Sequence, residues 1–433
     1  MALMMVVLMS FVDVDNAQAK GKKHHHHHTS SVGGPAPSNC YLAPVYPGGS
    51  YAYAWGGNWN GQLGDGTTND RRVPGQVQNL SNFETIAAGG GFSLALKNDC
   101  TVWAWGENSN GQLGDGTTID RYTPVPVQNL SGVKAIAGGN YHGLALKNDG
   151  TVWAWGWNQF GQLGDGSTTD SHVPVQVKNL SGVIAIASGW NHSLALKNDG
   201  TLWAWGENYY GELGNGTATT TGCWCSDVPV QVQNLSGVKA MAGGSDHTLA
   251  LKDDGTVWAW GDNASGELGD GTTTERHTPV QVLGELPTLT TSSFSSTSII
   301  SPPPVPPLSG VKAIDAGTGH SVALMNDGTV RAWGTNWAGQ LGDGTNTNRN
   351  KEVQVQNLSG VKAIASHDSH TLALKDDGTV WAWGWNLDGQ LGDGTQTDRN
   401  APVKVLNLIE ITAIDAGTGH SLAKMETPPV AVQ

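Results

Sequence analysis

Seven Trp-Gly pairs, each followed by an almost fixed string, constrain this chain more than any other feature. They are Trp55-Gly56, Trp105-Gly106, Trp155-Gly156, Trp205-Gly206, Trp260-Gly261, Trp333-Gly334 and Trp383-Gly384. Their spacing centres on about 50 residues, a period at which one unit is too small to bury its own apolar faces, so neighbouring units must cover one another. The expectation is a closed array of similar sheets.

The second full unit shows the grammar: VKAIAGG (133–139), HGLALKNDG (142–150), TVWAWG (151–156), NQFGQLGDG (158–166) and VPVQV (173–177). Short apolar or alternating runs divided by Gly, Asn and Asp read as four strands per unit with tight turns. Asn-Asp-Gly between LALK and TVWAW is a hairpin signal, because Gly tolerates the positive φ such turns need. In TVWAWG the two Trp side chains share one strand face while Val152 and Ala154 occupy the other. Large residues on one face and small ones on the opposite face suit sheet-on-sheet packing. Each buried Trp removes roughly 150–250 Å² from water, about 4–6 kcal/mol of gross transfer energy. The Trp-Ala-Trp positions are therefore expected to be core.

The string Trp-Gly-x-Asn-x-x-Gly-Gln/Glu-Leu-Gly-Asp/Asn-Gly is complete in all seven units, and Gly-x-x-His-Ser/Thr-x-Ala-Leu recurs with local changes, Phe92 replacing the His of the first copy. Over residues 51–425 the chain resembles the regulator of chromosome condensation family, which implies an all-β fold, a seven-bladed β-propeller of four-stranded antiparallel blades. Kelch propellers share the period but lack the Asn-x-x-Gly-Gln-Leu-Gly string. The repeat region opens with a third strand (Tyr51 to Trp55) and closes with a second strand (His420 to Met425). The seventh blade should thus be composite, N- and C-terminal strands pairing to close the ring and remove free sheet edges.

A formal net charge of −14 and only 14% charged residues argue against a nucleic-acid or anionic-membrane surface. Residues 1–19 read as an export signal: an apolar run from Ala2 to Val12, too short to span a membrane, then Ala17-Gln18-Ala19 as a small-x-small cleavage site. A secreted, periplasmic or surface location is expected. Residues 20–50 form a tail carrying His24, His25, His26, His27 and His28, a weak site for Zn, Ni or Cu ions, and residues 426–433 a C-terminal tail. Insertions fall near 217–226 and 284–306; the second is rich in Ser, Thr and Pro and reads as a surface excursion. Four cysteines in an exported chain invite pairing. Cys40 and Cys100 are one candidate disulfide, Cys100 standing where other hairpins carry Gly; Cys223 and Cys225, flanking Trp224, are the other.

The repeated His142, His192, His247, His320, His370 and His420 read as hydrogen-bonding residues at strand starts. Asp65, Asp115, Asp165, Asp270, Asp343 and Asp393, with Asn215, read as turn residues bonding local backbone. No calcium loop, phosphate-binding loop or Ser/His/Asp grouping stands out, so no catalytic residue and no cofactor are expected. Function is sought where the copies differ. Trp59, Trp157, Phe160, Trp190, Tyr209, Tyr210, Trp337 and Trp385 lie in loops that should share one face with Phe92, Tyr141, Trp224 and Leu387. Such a face suits an interface hot spot.

Three functions compete: a monomeric, non-catalytic propeller binding a protein partner of unknown identity, as in secreted β-lactamase inhibitor proteins of this fold; a lectin-like propeller binding glycan; and guanine-nucleotide exchange as in the family founder. Exchange fits least with an exported acidic chain lacking an exchange wedge. The family's plant UV-B photoreceptor uses Gly-Trp-Arg-His-Thr motifs, which only Gly189-Trp190-Asn191-His192-Ser193 approaches, without the Arg. Unequal aromatic positions between copies favour one asymmetric protein epitope over a sugar site repeated in every blade.

Overall fold

A computed structural model describes residues 49–218, 224–285 and 304–426. Within them lie seven four-stranded antiparallel sheets and no helix. Blade two is representative. Its strands run, from the central channel outward, Val133–Gly138, His142–Lys147, Val152–Gly156 and Ser171–Gln176. The Asn-Asp-Gly hairpin forms as expected, Gly150 taking φ +80°; Cys100 holds the same left-handed conformation at φ +61°. Ring closure is also as expected. Ser50–Gly56 pairs with His420–Glu426 from Ser50↔Glu426 to Gly56↔His420, completing a blade with Ile411–Ala416 and Arg71–Gln76.

Blades one to six span 83–126, 133–176, 183–231, 238–281, 311–354 and 361–404. The small face of each third strand meets the Trp of the next blade: Val152 and Ala154 cluster with Trp205, and Val380 and Ala382 with Trp55 of the composite blade. All seven Trp-Gly tryptophans are fully buried. The first Trp of the Trp-Ala-Trp pair is not. Trp103, Trp153, Trp203, Trp258 and Trp381 are half-buried, and a Lys ammonium of the adjacent strand covers each ring at 4.8–5.8 Å from its centroid. A lysine stem thus replaces the neighbouring blade over that surface.

The strand-start histidines form the inter-blade seam. His142 Nε2 lies 3.0 Å from the Ser193 hydroxyl of the next blade. Ser193 Oγ donates to the Gln162 carbonyl at 2.9 Å, which also accepts Trp205 Nε1–H at 2.8 Å. Because the hydroxyl spends its only proton on the carbonyl, Nε2 must carry hydrogen, leaving Nδ1 a bare acceptor. Nδ1 of all six histidines lacks a partner, so protonation would bury an unpaired charge. Burial accordingly lowers His142, His247, His320, His370 and His420 to about 3 and His192 to about 4. The same contact recurs from His420 to Ser93 across the closing seam. Between blades one and two, Phe92 replaces the histidine and Gly143 the hydroxyl. Phe92 is fully buried among Leu94, Leu113 and Trp155, which corrects its expected place on the loop face.

The Ser/Thr/Pro insertion is pinned at its base by a bridge between Leu283 and Pro307 and by Gly284 N–H to Pro306 O at 2.8 Å. Residues 286–303 lie outside the described residues. So do the export signal, the His24 to His28 run, Cys40, Cys223 and residues 427–433. No described cysteine is free. The proposed Cys40 to Cys100 and Cys223 to Cys225 pairs each include one residue outside that set.

Candidate functional site on the loop face

Loops joining inner to second strands and third to outer strands leave each blade on the same side. The long third-to-outer loop is a scaffold built by the repeated letters. In blade two Asn158 Oδ1 accepts Leu163 N–H at 2.9 Å, while its Nδ2 donates to the carbonyls of Ser167 and Thr169 at 3.0 Å each. Gln162 Oε1 accepts Phe160 N–H, and Asp165 Oδ1 accepts Ser167 N–H, both at 3.0 Å. Gly156 makes the sharp exit at φ +104°, where a Cβ would meet Tyr141 O at 2.4 Å. Five of the turn aspartates also carry an ion pair absent from the sequence reading, such as Arg121 to Asp115 and Arg399 to Asp393, each at 2.7 Å. In Asp115, burial pushes the carboxyl up, but bonds from Thr117 and Arg121 outweigh it and the net shift is downward.

With the repeated residues occupied inside the loop, the non-repeated position directly after the Asn faces outward in all seven copies. At the loop tip, Trp337 of blade five, Leu387 of blade six and Trp59 of the composite blade are 57%, 58% and 60% exposed. These three blades are consecutive around the ring. The arc continues onto blade one, where Ile119 and Tyr122 are exposed and Asp120 between them accepts Asn60 Nδ2–H at 3.1 Å. Composition alone does not single out Ile119 and Tyr122; reading them requires knowing that blade one follows the composite blade.

Six of the other predicted aromatics form two clusters. Trp157 stacks edge-on against Phe160 at 5.3 Å and Tyr141 at 6.0 Å, all half-buried. Tyr209 contacts Tyr210 at 4.6 Å and Trp224 at 4.2 Å, with Tyr209 and Trp224 exposed by 43% and 41%. Trp190 and Trp385 are half-buried. Thus the eight predicted side chains are not one ring of exposed groups: Trp59, Tyr209 and Trp337 stand out, while the other five are partly packed.

Two acidic groupings were missed by the sequence reading. Between blades three and four, Glu207, Glu212 and Asp246 bring one carboxylate oxygen each within 4.8 Å of the others. Burial raises all three, Glu212 well above the ordinary range. At the channel, burial and the Asp415 charge push Asp315 up to about 8, and burial pushes Asp415 to about 7. Asp315 Oδ2 accepts Ser366 N–H of the next inner strand at 2.7 Å, and Asp415 Oδ2 accepts Ala88 N–H at 2.9 Å. These carboxyls staple adjacent inner strands. Their sequence signal is Asp in the two AIDAGTGH copies where other blades carry Ala.

Comparison with known proteins bears on the whole ring. The RCC1-like domain matches residues 48–297, and the regulator of chromosome condensation (RCC1) repeat matches 327–374 and 377–423. The ultraviolet-B receptor UVR8 of Arabidopsis thaliana is 33% identical over 162 residues, covering 30% of this chain and 37% of that protein. Protein pim1 of Schizosaccharomyces pombe is 34% identical over 133 residues, covering 30% and 22%. The chain therefore spans well under half the length of these relatives. Human WBSCR16 superposes with a TM-score of 0.71 at 24% identity, covering 87% of this chain and 98% of that one. Yeast RCC1 (Prp20), solved bound to Kap60, gives 0.74 at 20% identity, covering 95% and 96%. Among the described residues no helix is long and apolar enough to cross a membrane.

Proposed function

This chain belongs to the regulator of chromosome condensation (RCC1) repeat family, and we propose that it is a non-catalytic propeller of an exported protein that binds a protein partner through its loop face. The observation that carries the reading is the arc of Trp337, Leu387 and Trp59 across three consecutive blades, exposed on loops whose other residues are held by internal hydrogen bonds. Large apolar side chains exposed at no benefit to their own blade, on a preorganised frame, are what interface anchors require. The asymmetry of the arc supports a protein over a glycan, since blades one, two and four carry Ser109, Gln159 and Ala264 at the same tip. Export rests on the apolar run and Ala17-Gln18-Ala19, and amino-terminal sequencing of the mature protein tests it.

The binding test is a combined Trp59→Ala, Leu387→Ala and Trp337→Ala variant. Exposed substitutions shift stability by only about 0.5 kcal/mol each, whereas loss of an interface anchor costs about 2 kcal/mol or more. A protein captured from the source organism by the parent should, once purified, bind the variant at least about 30-fold more weakly by calorimetry at an unchanged melting temperature. Unchanged affinity refutes the assignment of this face, and binding to a glycan array instead of any protein refutes the partner class.

A further inference from the structure

We propose that Glu207, Glu212 and Asp246, in the loop-face crevice between blades three and four, hold one hard divalent cation of the calcium class. The three groups come from different elements: Glu207 ends the third strand of blade three, Glu212 lies in the loop that follows, and Asp246 precedes the second strand of blade four. One oxygen of each lies within 4.8 Å of the others. Ligand oxygens about 2.3–2.6 Å from a common Ca²⁺ are separated by at most about twice that distance, so one ion can bridge them. An all-oxygen anionic set without His or Cys favours such an ion over zinc or copper.

The second observation is Glu212 itself. Its side chain is fully buried, Oε2 accepts Tyr210 N–H at 3.0 Å, and Oε1 has no partner. Five copies carry Gln here: Gln62, Gln112, Gln162, Gln340 and Gln390. The remaining copy, Glu267, is acidic too, but its Oε1 receives the Thr335 hydroxyl at 3.4 Å. At this repeat position Glu212 is the acid whose second oxygen no protein donor reaches. Around it lie two more acids and no ion-paired Lys or Arg, since none of the described ion pairs involves Glu207, Glu212 or Asp246. Neighbouring side chains fix the other two ligands. Asn191 Nδ2 donates to Glu207 Oε2 at 2.9 Å, and Ser245 Oγ donates to Asp246 Oδ2 at 2.8 Å. Neither residue type at 207 or 246 is required by the repeat, whose other copies include Gly, Trp and Thr at the first position and Gly, Tyr, Asn and Ser at the second. A buried, uncompensated carboxylate is costly unless a cation meets it.

The test is independent of any protein partner. The full chain is titrated with Tb³⁺, its emission excited through aromatic residues such as Tyr210, and then with competing Ca²⁺; melting is followed in Ca²⁺ and in chelator. Glu212→Gln and Asp246→Asn install residues that the repeat itself carries at these positions, Gln in five copies and Asn191 in blade three, so both variants should fold. The parent should show saturable emission that Ca²⁺ displaces and a higher melting temperature in Ca²⁺. Each variant should lose at least about tenfold in Ca²⁺ affinity and most of the thermal shift, while melting in chelator no lower than the parent. The His24 to His28 run is common to all three and offers nitrogen ligands that suit other metals. Absence of Ca²⁺-displaceable emission, or equal Ca²⁺ response in parent and Glu212→Gln, overturns the proposal.

Discussion

Replacing His142 by Phe should make the protein less stable at neutral pH and relatively more stable in acid. The fold supplies the precedent, because Phe92 occupies the equivalent place in blade one. At pH 7.5 the substitution removes the buried bond from His142 Nε2–H to Ser193 Oγ while Ser193 keeps its bond to Gln162, a net cost of about 1 kcal/mol. The bulkier ring against Ser193, rather than against a glycine such as Gly143, can add about 1 kcal/mol more. Acid reverses the balance. His142 titrates near about 3 when folded and near about 6.5 when unfolded, so the unfolded chain binds the extra proton between those values. The folded pKa is depressed, so the stability this group contributes is fully present above about pH 6.5 and is lost as pH falls toward 3. The parent loses about 1.4 kcal/mol from this residue by pH 5.5 and about 2 kcal/mol by pH 5.0, whereas the Phe variant loses none. Denaturant midpoints of both proteins from pH 7.5 to 5.0 should converge and meet between about pH 5.7 and 5.0. Parallel stability curves would refute both the bare Nδ1 and the seam built on it.

Three further outcomes follow from the packing. Trp105→Ala should cost about 3–5 kcal/mol, read as a fall in denaturant midpoint, because it opens a cavity against Ala52, Ala54 and Leu63 of the composite blade. Deleting residues 51–67 removes the strand paired with His420–Glu426 and should yield an aggregating or far less stable protein; a monomer with unchanged melting would place closure elsewhere. Non-reducing peptide mapping should recover a Cys40 to Cys100 link, a loop of about 60 residues worth about 4 kcal/mol in the chain-entropy model; four titratable thiols in protein from an oxidising compartment would sink it.

The ring was legible because its determinants are local and repeated: the hairpin glycines, the alternation in TVWAWG and the third-strand start at Tyr51 each state their own part of the fold. The half-buried Trp153 was not legible, since strand periodicity assigns it the face of Trp155 but is silent on whether a blade or a lysine covers that face. Phe92 misled for a related reason. It varies in a repeat position, as binding residues do, yet its change is matched by Gly143 across the seam. The acidic crevice needed the third dimension. Glu207 and Glu212 are near in sequence, but Asp246 joins them only because blade four packs on blade three, and the unmet oxygen of Glu212 has no trace in the sequence beyond a Glu among glutamines.

Site-specific photo-cross-linking tests the loop-face account most directly. A photoreactive phenylalanine analogue is placed at Trp337, on the loop face, or at Asp376, an exposed hairpin-turn residue on the opposite face, and the protein is irradiated in extract of the source organism. The account predicts a discrete protein adduct from position 337 that excess unlabelled parent suppresses, and none from 376. A suppressible adduct from 376 with none from 337 would contradict it and move the binding surface to the face that carries the hairpins.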